Sequence, residues 1–556
     1  MPSFTTDNST NSTKRKTMKE EIAKKQKKQK GHLYRNFIEL VAVGSVTGIF
    51  AGVVVSLFKI LVYEGEEISR GVYAYVRAHP AFIPLLLLAL ALGAFFIGVA
   101  VNLSSVVRGC GIPQAEGAAR GIVPLKWWKD MTLMFATSLA SVFMGLSIGA
   151  EGPSVLIGAC SGDGVSTLLK RDQMIRRYQI TGGACAGLAV ASNAPLTGMA
   201  FAFEEAHKRF TPEVFICAFS SVIFAVLVRT GIYSLLGLEV TNLYGNYLFY
   251  EIPMANYWYV IVAGIVCGVC GVGFYKLCIQ MRKWFRKISI KNPKVSHGVR
   301  IAFAVFLGGI VSFTAAGVMG GGESLIHSLG TMGGTVEPTA QSSFGETLFW
   351  TLLIILCLKF LITTINVGAG IPCGIFVPVI AIGACLGALM NQGWVSLGMD
   401  EKYCDIMIMI CMAAFFTTIV KAPITAIIMI CEFTGSFAPL LPVIIAVSIG
   451  YLIGEISKTG AIYDELLEMY EHETGIHAHS VKEVYTLSVE RGSLADKREV
   501  RDILWPAGTR VKELHRGEEV ILPDGKTVLH GGDLLTIVCL TSEPSKTKDE
   551  LEHILS

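Results

Sequence analysis

The chain has 556 residues, 52% of them hydrophobic and only 16% charged, with 58 glycines and a formal net charge of +3. That composition excludes a disordered, highly charged chain and a small disulfide-stapled domain, and so slight a charge excess says little about partners. What remains is a polytopic membrane protein, because apolar stretches such as 37–63, 81–101, 131–146, 212–228, 257–275, 348–363 and 440–453 mostly approach or exceed the ~17–25 residues that cross a bilayer. Several fall short and are broken by Gly and Pro, as expected of discontinuous helices lining a polar cavity in a transporter or channel. The 14 cysteines are scattered. Cys267 and Cys270 have CxxC spacing but no second pair beside them, so all are read as reduced core residues rather than disulfides or metal ligands.

In chain order, residues 14–35 are dense in lysine (Lys24, Lys25, Lys27, Lys28, Lys30) and lack the apolar core of a signal peptide. They read as a cytoplasmic tail held inside by its charge; a nucleic-acid arm is the lesser reading for a lysine run beside a transmembrane helix. At Gly109-Cys110-Gly111-Ile112-Pro113-Gln114, a glycine pair brackets a small side chain ahead of a proline. Such a sequence suits the start of a half-helix whose backbone approaches a ligand closely, the alternative being an ordinary interhelical loop. Next comes Gly149-Ala150-Glu151-Gly152-Pro153-Ser154, which sets a carboxylate inside apolar sequence. A charge at membrane depth is costly, so function is its default reading. The unpaired N–H groups opening the following helix can hold an anion, and Glu151 is itself one candidate for it.

No Lys or Arg falls between residues 230 and 275, whereas 276–300 carries Arg282, Lys283, Arg286, Lys287, Lys291 and Lys294. The loop 239–253 is therefore expected outside and the basic stretch inside, which makes the second half inverted relative to the first. Internal similarity agrees. Gly152-Pro153-Ser154 and the run after it to Gly162 are echoed by Val377-Pro378-Val379 and the run to Gly387. Ala194-Pro195-Leu196-Thr197, leading to Glu204, is echoed by Ala422-Pro423-Ile424-Thr425, leading to Glu432. Gly109-Cys110-Gly111 has a looser counterpart in Gly320-Gly321-Gly322. In Gly374-Ile375-Phe376-Val377-Pro378, another proline-led start offers the N–H groups of Ile375 and Phe376. Three such starts converging would replace an anion's hydration with neutral dipoles, without the deep trap a Lys or Arg makes. From about residue 464 the chain becomes charged, and 484–489, 510–514, 520–522 and 534–538 read as short strands of a small cytoplasmic β-rich domain.

Taken together, Gly109-Cys110-Gly111-Ile112-Pro113, Gly149-Ala150-Glu151-Gly152-Pro153 and Gly374-Ile375-Phe376-Val377-Pro378 resemble the GSGIP, G(K/R)EGP and GxFxP signatures of the CLC family of chloride channels and chloride/proton exchangers. The likeness covers roughly residues 44–463. It implies an all-α polytopic fold, an inverted repeat of broken and tilted helices, in a homodimer that moves halide ions through the bilayer. It makes Glu151 the external gating glutamate. It assigns Cys110, Gly111, Ile112, Gly152, Ile375 and Phe376 to anion binding, and Tyr463 to the inner closure. The stretch Asn193-Ala194-Pro195-Leu196 precedes the family's internal proton glutamate, which carries over onto Glu205, with Glu204 beside it. His207, Lys208 and Arg209 then set Glu205 near the cytoplasmic face, the alternative being a solvated helix end. Protonation of Glu151 would remove a competitor for the anion's amides, so one acid can couple anion to proton. Two residues depart from the pattern. Cys110 stands for the usual serine and, as a weaker donor, puts affinity and selectivity in question; Ala150 stands for the usual basic residue and removes positive charge near the outer entry.

The stretch Arg516-Gly517-Glu518-Glu519-Val520-Ile521-Leu522-Pro523-Asp524-Gly525, followed by Val528-Leu529, Gly532-Asp533 and Leu534-Leu535, makes the tail from Val484 to Cys539 resemble the TrkA C-terminal (RCK-C) domain. The chain is thus expected to comprise a basic cytoplasmic tail (1–35), a first membrane half (36–232), an external linker (233–256), an inverted second half (257–463), a linker (464–480), a regulatory TrkA-C-like domain (481–542) of α/β or β-rich fold, and a tail (543–556). The expected function is chloride/proton antiport in a plasma membrane of bacterial type, both termini cytoplasmic. No cofactor, nucleic acid or enzymatic activity is expected; a small nucleotide-type ligand at the tail is left open. The alternatives are a passive voltage- or ligand-gated chloride channel, a fluoride/proton antiporter, and a potassium transporter or channel. Against the last, no TVGYG-like carbonyl filter occurs.

Overall fold

The computed structural model describes residues 8–208, 211–238, 247–248, 250–288, 290–330, 348–437, 439–475, 481–517, 519–541 and 544–556, without the side chains of 8–36, 348, 481 and 546. The side chains of the basic tail's lysines and most of the expected external loop lie outside what the structure describes.

The first half contains α1 (Asn8–Ala78), α2 (Ile83–Leu103), α3 (Ile112–Ala119), α4 (Trp127–Phe143), α5 (Glu151–Leu168), α6 (Gln173–Ser192), α7 (Pro195–Phe201) and α8 (Pro212–Leu235). The second contains α9 (Tyr257–Lys287), α10 (Pro293–Thr314), α11 (Glu323–Gly330), α12 (Leu348–Ala369), α13 (Phe376–Ser396), α14 (Cys404–Val420), α15 (Pro423–Thr434) and α16 (Leu440–Ile456). Among the described residues eight helical stretches are long and apolar enough to cross a membrane, while α3, α7, α11 and α15 are not. This is a multi-pass membrane protein of broken helices.

The repeat extends to local chemistry. Before α3 stand the 3-10 turn Ser105–Val107 and left-handed Gly109 and Gly111; before α11 stand Ala316–Val318 and left-handed Gly320 and Gly322. At the end of α6, Asn193 takes φ 54°, and at the end of α14, Lys421 takes φ 69°, each followed by an Ala-Pro step that opens the next short helix. Glycines let α5 and α6 touch backbone to backbone. A Cβ at Gly158 would stand 2.1 Å from the Gly183 carbonyl oxygen, and one at Gly187 would stand 2.2 Å from that of Ser154.

After α16, α17 (Ile462–Thr474) occupies most of what reads as a linker. It is fixed near both ends: Asp464 pairs with Arg120 (3.1 Å) and Lys208, and Glu473 pairs with Arg282 (2.9 Å). Beyond it lie β1 (Val481–Ser488), β2 (Thr509–Arg516), β3 (Glu519–Ile521) and β4 (Leu534–Thr541), in the antiparallel order β1-β4-β2-β3. The segment read as a C-terminal tail instead forms α18 (Pro544–Leu555). Leu551, Ile554 and Leu555, one apolar stripe at helical spacing, are buried with Leu514, Leu535 and Ile537 of the sheet. The folded unit therefore runs beyond the expected boundary at 542. It meets the membrane part where Arg177 donates to the Trp505 carbonyl (3.1 Å) and Arg498 pairs with Glu213.

Candidate functional site

The three signature segments meet. Gly149 and Gly374 exchange backbone hydrogen bonds of 2.8 and 2.9 Å, and the Cys373 N–H donates to the Gly109 carbonyl at 3.2 Å. A Cβ at Gly152 would stand 2.2 Å from the Cys110 carbonyl oxygen and 2.9 Å from the Gly374 Cα. Only glycine permits that approach, so Gly152 serves close packing of the segments.

Cys110 is buried at the junction, with the N–H groups of Ile112 and Ile375 directed at its sulfur. Phe376 begins α13 immediately behind Ile375. Gly111 departs from the expectation that its amide is offered to an anion. Its N–H donates to Gln114 Oε1 (3.0 Å), while Gln114 Nε2 donates to the Arg108 carbonyl (2.6 Å), closing a cap on α3. Tyr463, at the start of α17, is 1% exposed; its hydroxyl has no hydrogen-bond partner among the described residues, and Cys110, Glu116, Glu151 and Glu205 are among its electrostatic neighbours.

Glu151 opens α5 and is 1% exposed. One carboxylate oxygen lies 3.3 Å from Lys59 Nζ of α1, and the other has no hydrogen-bond partner among the described residues. The carboxylate thus turns toward a cation rather than only toward the amides of its own helix start. Lys59 also lies 2.5 Å from Glu323, the first residue of α11. Neither Lys59 nor Glu323 was among the expected site residues. The available signal was a single lysine in an otherwise apolar run of α1, a charge that needs a partner. A second unexpected cation, Lys359, is fully buried and donates to Ser147 Oγ (3.3 Å) and to the carbonyls of Val318 (3.3 Å) and Gly320 (3.1 Å).

On the other side, α7 runs into a π-turn, Ala202–Ala206, which sends the neighbouring acids Glu204 and Glu205 to different surroundings. Glu205 is 3% exposed with one carboxylate oxygen unpartnered among the described residues, so it is no solvated helix end. Arg120 donates to the Glu205 and Ala206 carbonyls, each at 3.1 Å, and lies 3.5 Å from Glu116, a second buried acid that the sequence reading passed over. Glu204 reaches across the repeat. Its two oxygens accept from the Ile424 (2.9 Å) and Thr425 (2.6 Å) amides in the first turn of α15. Reciprocally, Glu432 of α15 accepts from the Leu196 (2.6 Å) and Thr197 (2.7 Å) amides of α7 and from the Thr197 hydroxyl (2.6 Å). Each is a helix cap supplied by the other half.

Among the described residues no group of three His, Cys, Asp or Glu side chains is arranged to hold a metal ion. A family model described as voltage gated chloride channel matches residues 93–455, well over half of the chain. The chain belongs to the CLC family. Similar solved structures include a slow cyanobacterial Cl−/H+ antiporter (24% identity, TM-score 0.69, covering 78% of this chain and 99% of that one). A eukaryotic CLC transporter follows (18%, 0.62, covering 78% and 74%), then a CLC-type fluoride/proton antiporter (19%, 0.55, covering 75% and 96%). At these identities the likeness establishes the CLC fold and leaves ion and coupling to be argued from this chain's own residues.

Proposed function

We propose that this CLC protein is a chloride/proton antiporter in which Glu151 is the outer gate and Glu205 the inner proton site. The observation that carries the reading is a pair of buried carboxylates near the buried Tyr463 hydroxyl, each carboxylate with one oxygen, and the hydroxyl itself, without a hydrogen-bond partner among the described residues. A buried acid without a full set of partners is held ready to change protonation state. Cys110, Ile112, Ile375, Phe376 and Tyr463 bind the central anion, while Gly111 and Gly152 shape the backbone around it. Glu204 is a structural cap rather than a proton carrier. When Glu151 is ionised it occupies the anion's outer path; when it is protonated the path opens, which ties the two fluxes together.

We assign the working form to a homodimer in the cell membrane, with both termini cytoplasmic because the basic stretches at 14–35 and 276–300 belong inside. The unit from β1 to α18 is a TrkA-C-like regulatory module for a small ligand of nucleotide type.

Purified protein in liposomes tests the reading. A chloride gradient should drive protons uphill, and Glu151→Ala and Glu205→Ala should each abolish that movement. Chloride flux without protons would make the protein a channel; proton movement driven by fluoride and not chloride would reassign the ion.

A further inference from the structure

Ala150 leaves the outer gate without an adjacent basic residue in its own segment, yet a cation stands against Glu151 all the same. We propose that Lys59 of α1 is the positioning residue of that gate, supplying from a neighbouring helix the positive charge that the segment around Glu151 lacks. The proposal rests on the reading of Glu151 as the gate.

The geometry is that of one cation shared by two acids. Lys59 is 13% exposed and lies 3.3 Å from Glu151, which is 1% exposed, and 2.5 Å from Glu323, which is 32% exposed. Removing one partner from a buried ion pair leaves an uncompensated charge, which is strongly unfavourable. A gate held by a lysine alone would meet that cost each time the glutamate took a proton or swung away. Glu323 removes it, because Lys59 keeps a carboxylate whatever Glu151 does. The second half of the repeat thus anchors the cation that serves the first.

The surroundings keep Lys59 in place. Two turns along α1, Glu66 accepts from the Gly321 amide (3.3 Å) and lies 3.6 Å from Arg70, tying α1 to the glycine turn that precedes Glu323. Arg70 also donates to Ser324. Lys359 is bound by the Ser147 hydroxyl and by the Val318 and Gly320 carbonyls beneath the same turn. Once Glu151 is neutral, the Lys59 ammonium, still held by Glu323, keeps beside the vacated path the N–H donors that Glu151 has released, and these can meet an entering anion.

The test is chloride-dependent exchange in liposomes by the full-length protein and its variants. Lys59→Met should raise the half-saturating external chloride about tenfold, with a smaller change in the maximal rate. Lys59→Arg should behave as the parent, and Ala150→Arg added to Lys59→Met should restore most of the lost affinity, which a purely structural role for Lys59 does not predict. Glu323→Gln gives a second arm: with Lys59 left to Glu151 alone the gate is held shut, and the maximal rate should fall. An unchanged half-saturating chloride in Lys59→Met, or no rescue by Ala150→Arg, overturns the proposal. Glu151→Ala run alongside separates the two claims: lost proton coupling there with an inert Lys59→Met sinks only the role of Lys59, whereas retained coupling sinks the gate itself.

Discussion

Replacing Glu204 with glutamine separates a helix cap from a proton carrier. The carboxylate accepts two amides in the first turn of α15, Ile424 at 2.9 Å and Thr425 at 2.6 Å. Glutamine keeps one accepting oxygen, so one charge-assisted bond and the favourable charge at the helix start are lost. The first is worth about 1.5 kcal/mol and the second about 0.5 kcal/mol, giving a loss of about 2 kcal/mol. Glu432→Gln disturbs three donors and should cost about 3 kcal/mol on the same reasoning. Thermal unfolding in detergent, followed by the loss of monodisperse protein, ranks the variants; exchange in liposomes reads their coupling. Glu204→Gln should melt earlier and still move protons against a chloride gradient at the parent stoichiometry. Unchanged melting with abolished proton movement would refute the cap and return Glu204 to the proton path.

Other predictions concern the centre and the tail. Cys110→Ser replaces a weak donor by a hydroxyl and should tighten chloride binding about two- to tenfold, read by titration calorimetry. Gly152→Ala would drive a Cβ to 2.2 Å from the Cys110 carbonyl, and should yield either no folded protein or folded protein without chloride exchange, distinguished by gel filtration and flux. In the tail, burial pushes the Asp533 carboxyl up, but Arg516 (2.7 and 2.8 Å) and the His530 amide (2.8 Å) outweigh it and hold the group below its ordinary 3.8. A depressed native value contributes stability that is present above the unfolded value and lost as pH falls through the native one. Asp533→Asn should therefore flatten the acid limb of the tail's unfolding below about pH 4, as followed by Trp505 fluorescence.

The broken helices were legible because short-range chemistry writes them. Proline in the first turn of a helix needs no tertiary context, so the starts at Ile112, Glu151 and Phe376 and the echo between Pro195 and Pro423 could be read from residues alone, the first of them reinforced by left-handed Gly109 and Gly111. Side-chain destinations were less accessible. Glu204 and Glu205 are adjacent, and which of them caps α15 and which is buried depends on how the π-turn and its neighbours are packed. Lys59 meets acids 92 and 264 residues away, a pairing that no local pattern encodes. Gly111 looked free because the return of Gln114 onto its amide depends on a side-chain rotamer. The amphipathic stripe of α18 was present in the sequence, but it is a single stripe on a short charged segment, and the sheet it covers had to be seen first.

The short rod α17 has Tyr463 at one end and the connection to the β1–α18 unit at the other, with a salt bridge near each. Two such rivets leave little slack for sliding. A pull from the C-terminal unit would reach Tyr463 mainly as torque, turning the tyrosine ring without lengthening the tether. Any coupling between that unit and the membrane part is then better sought in the twist of one helix than in a wholesale separation of parts.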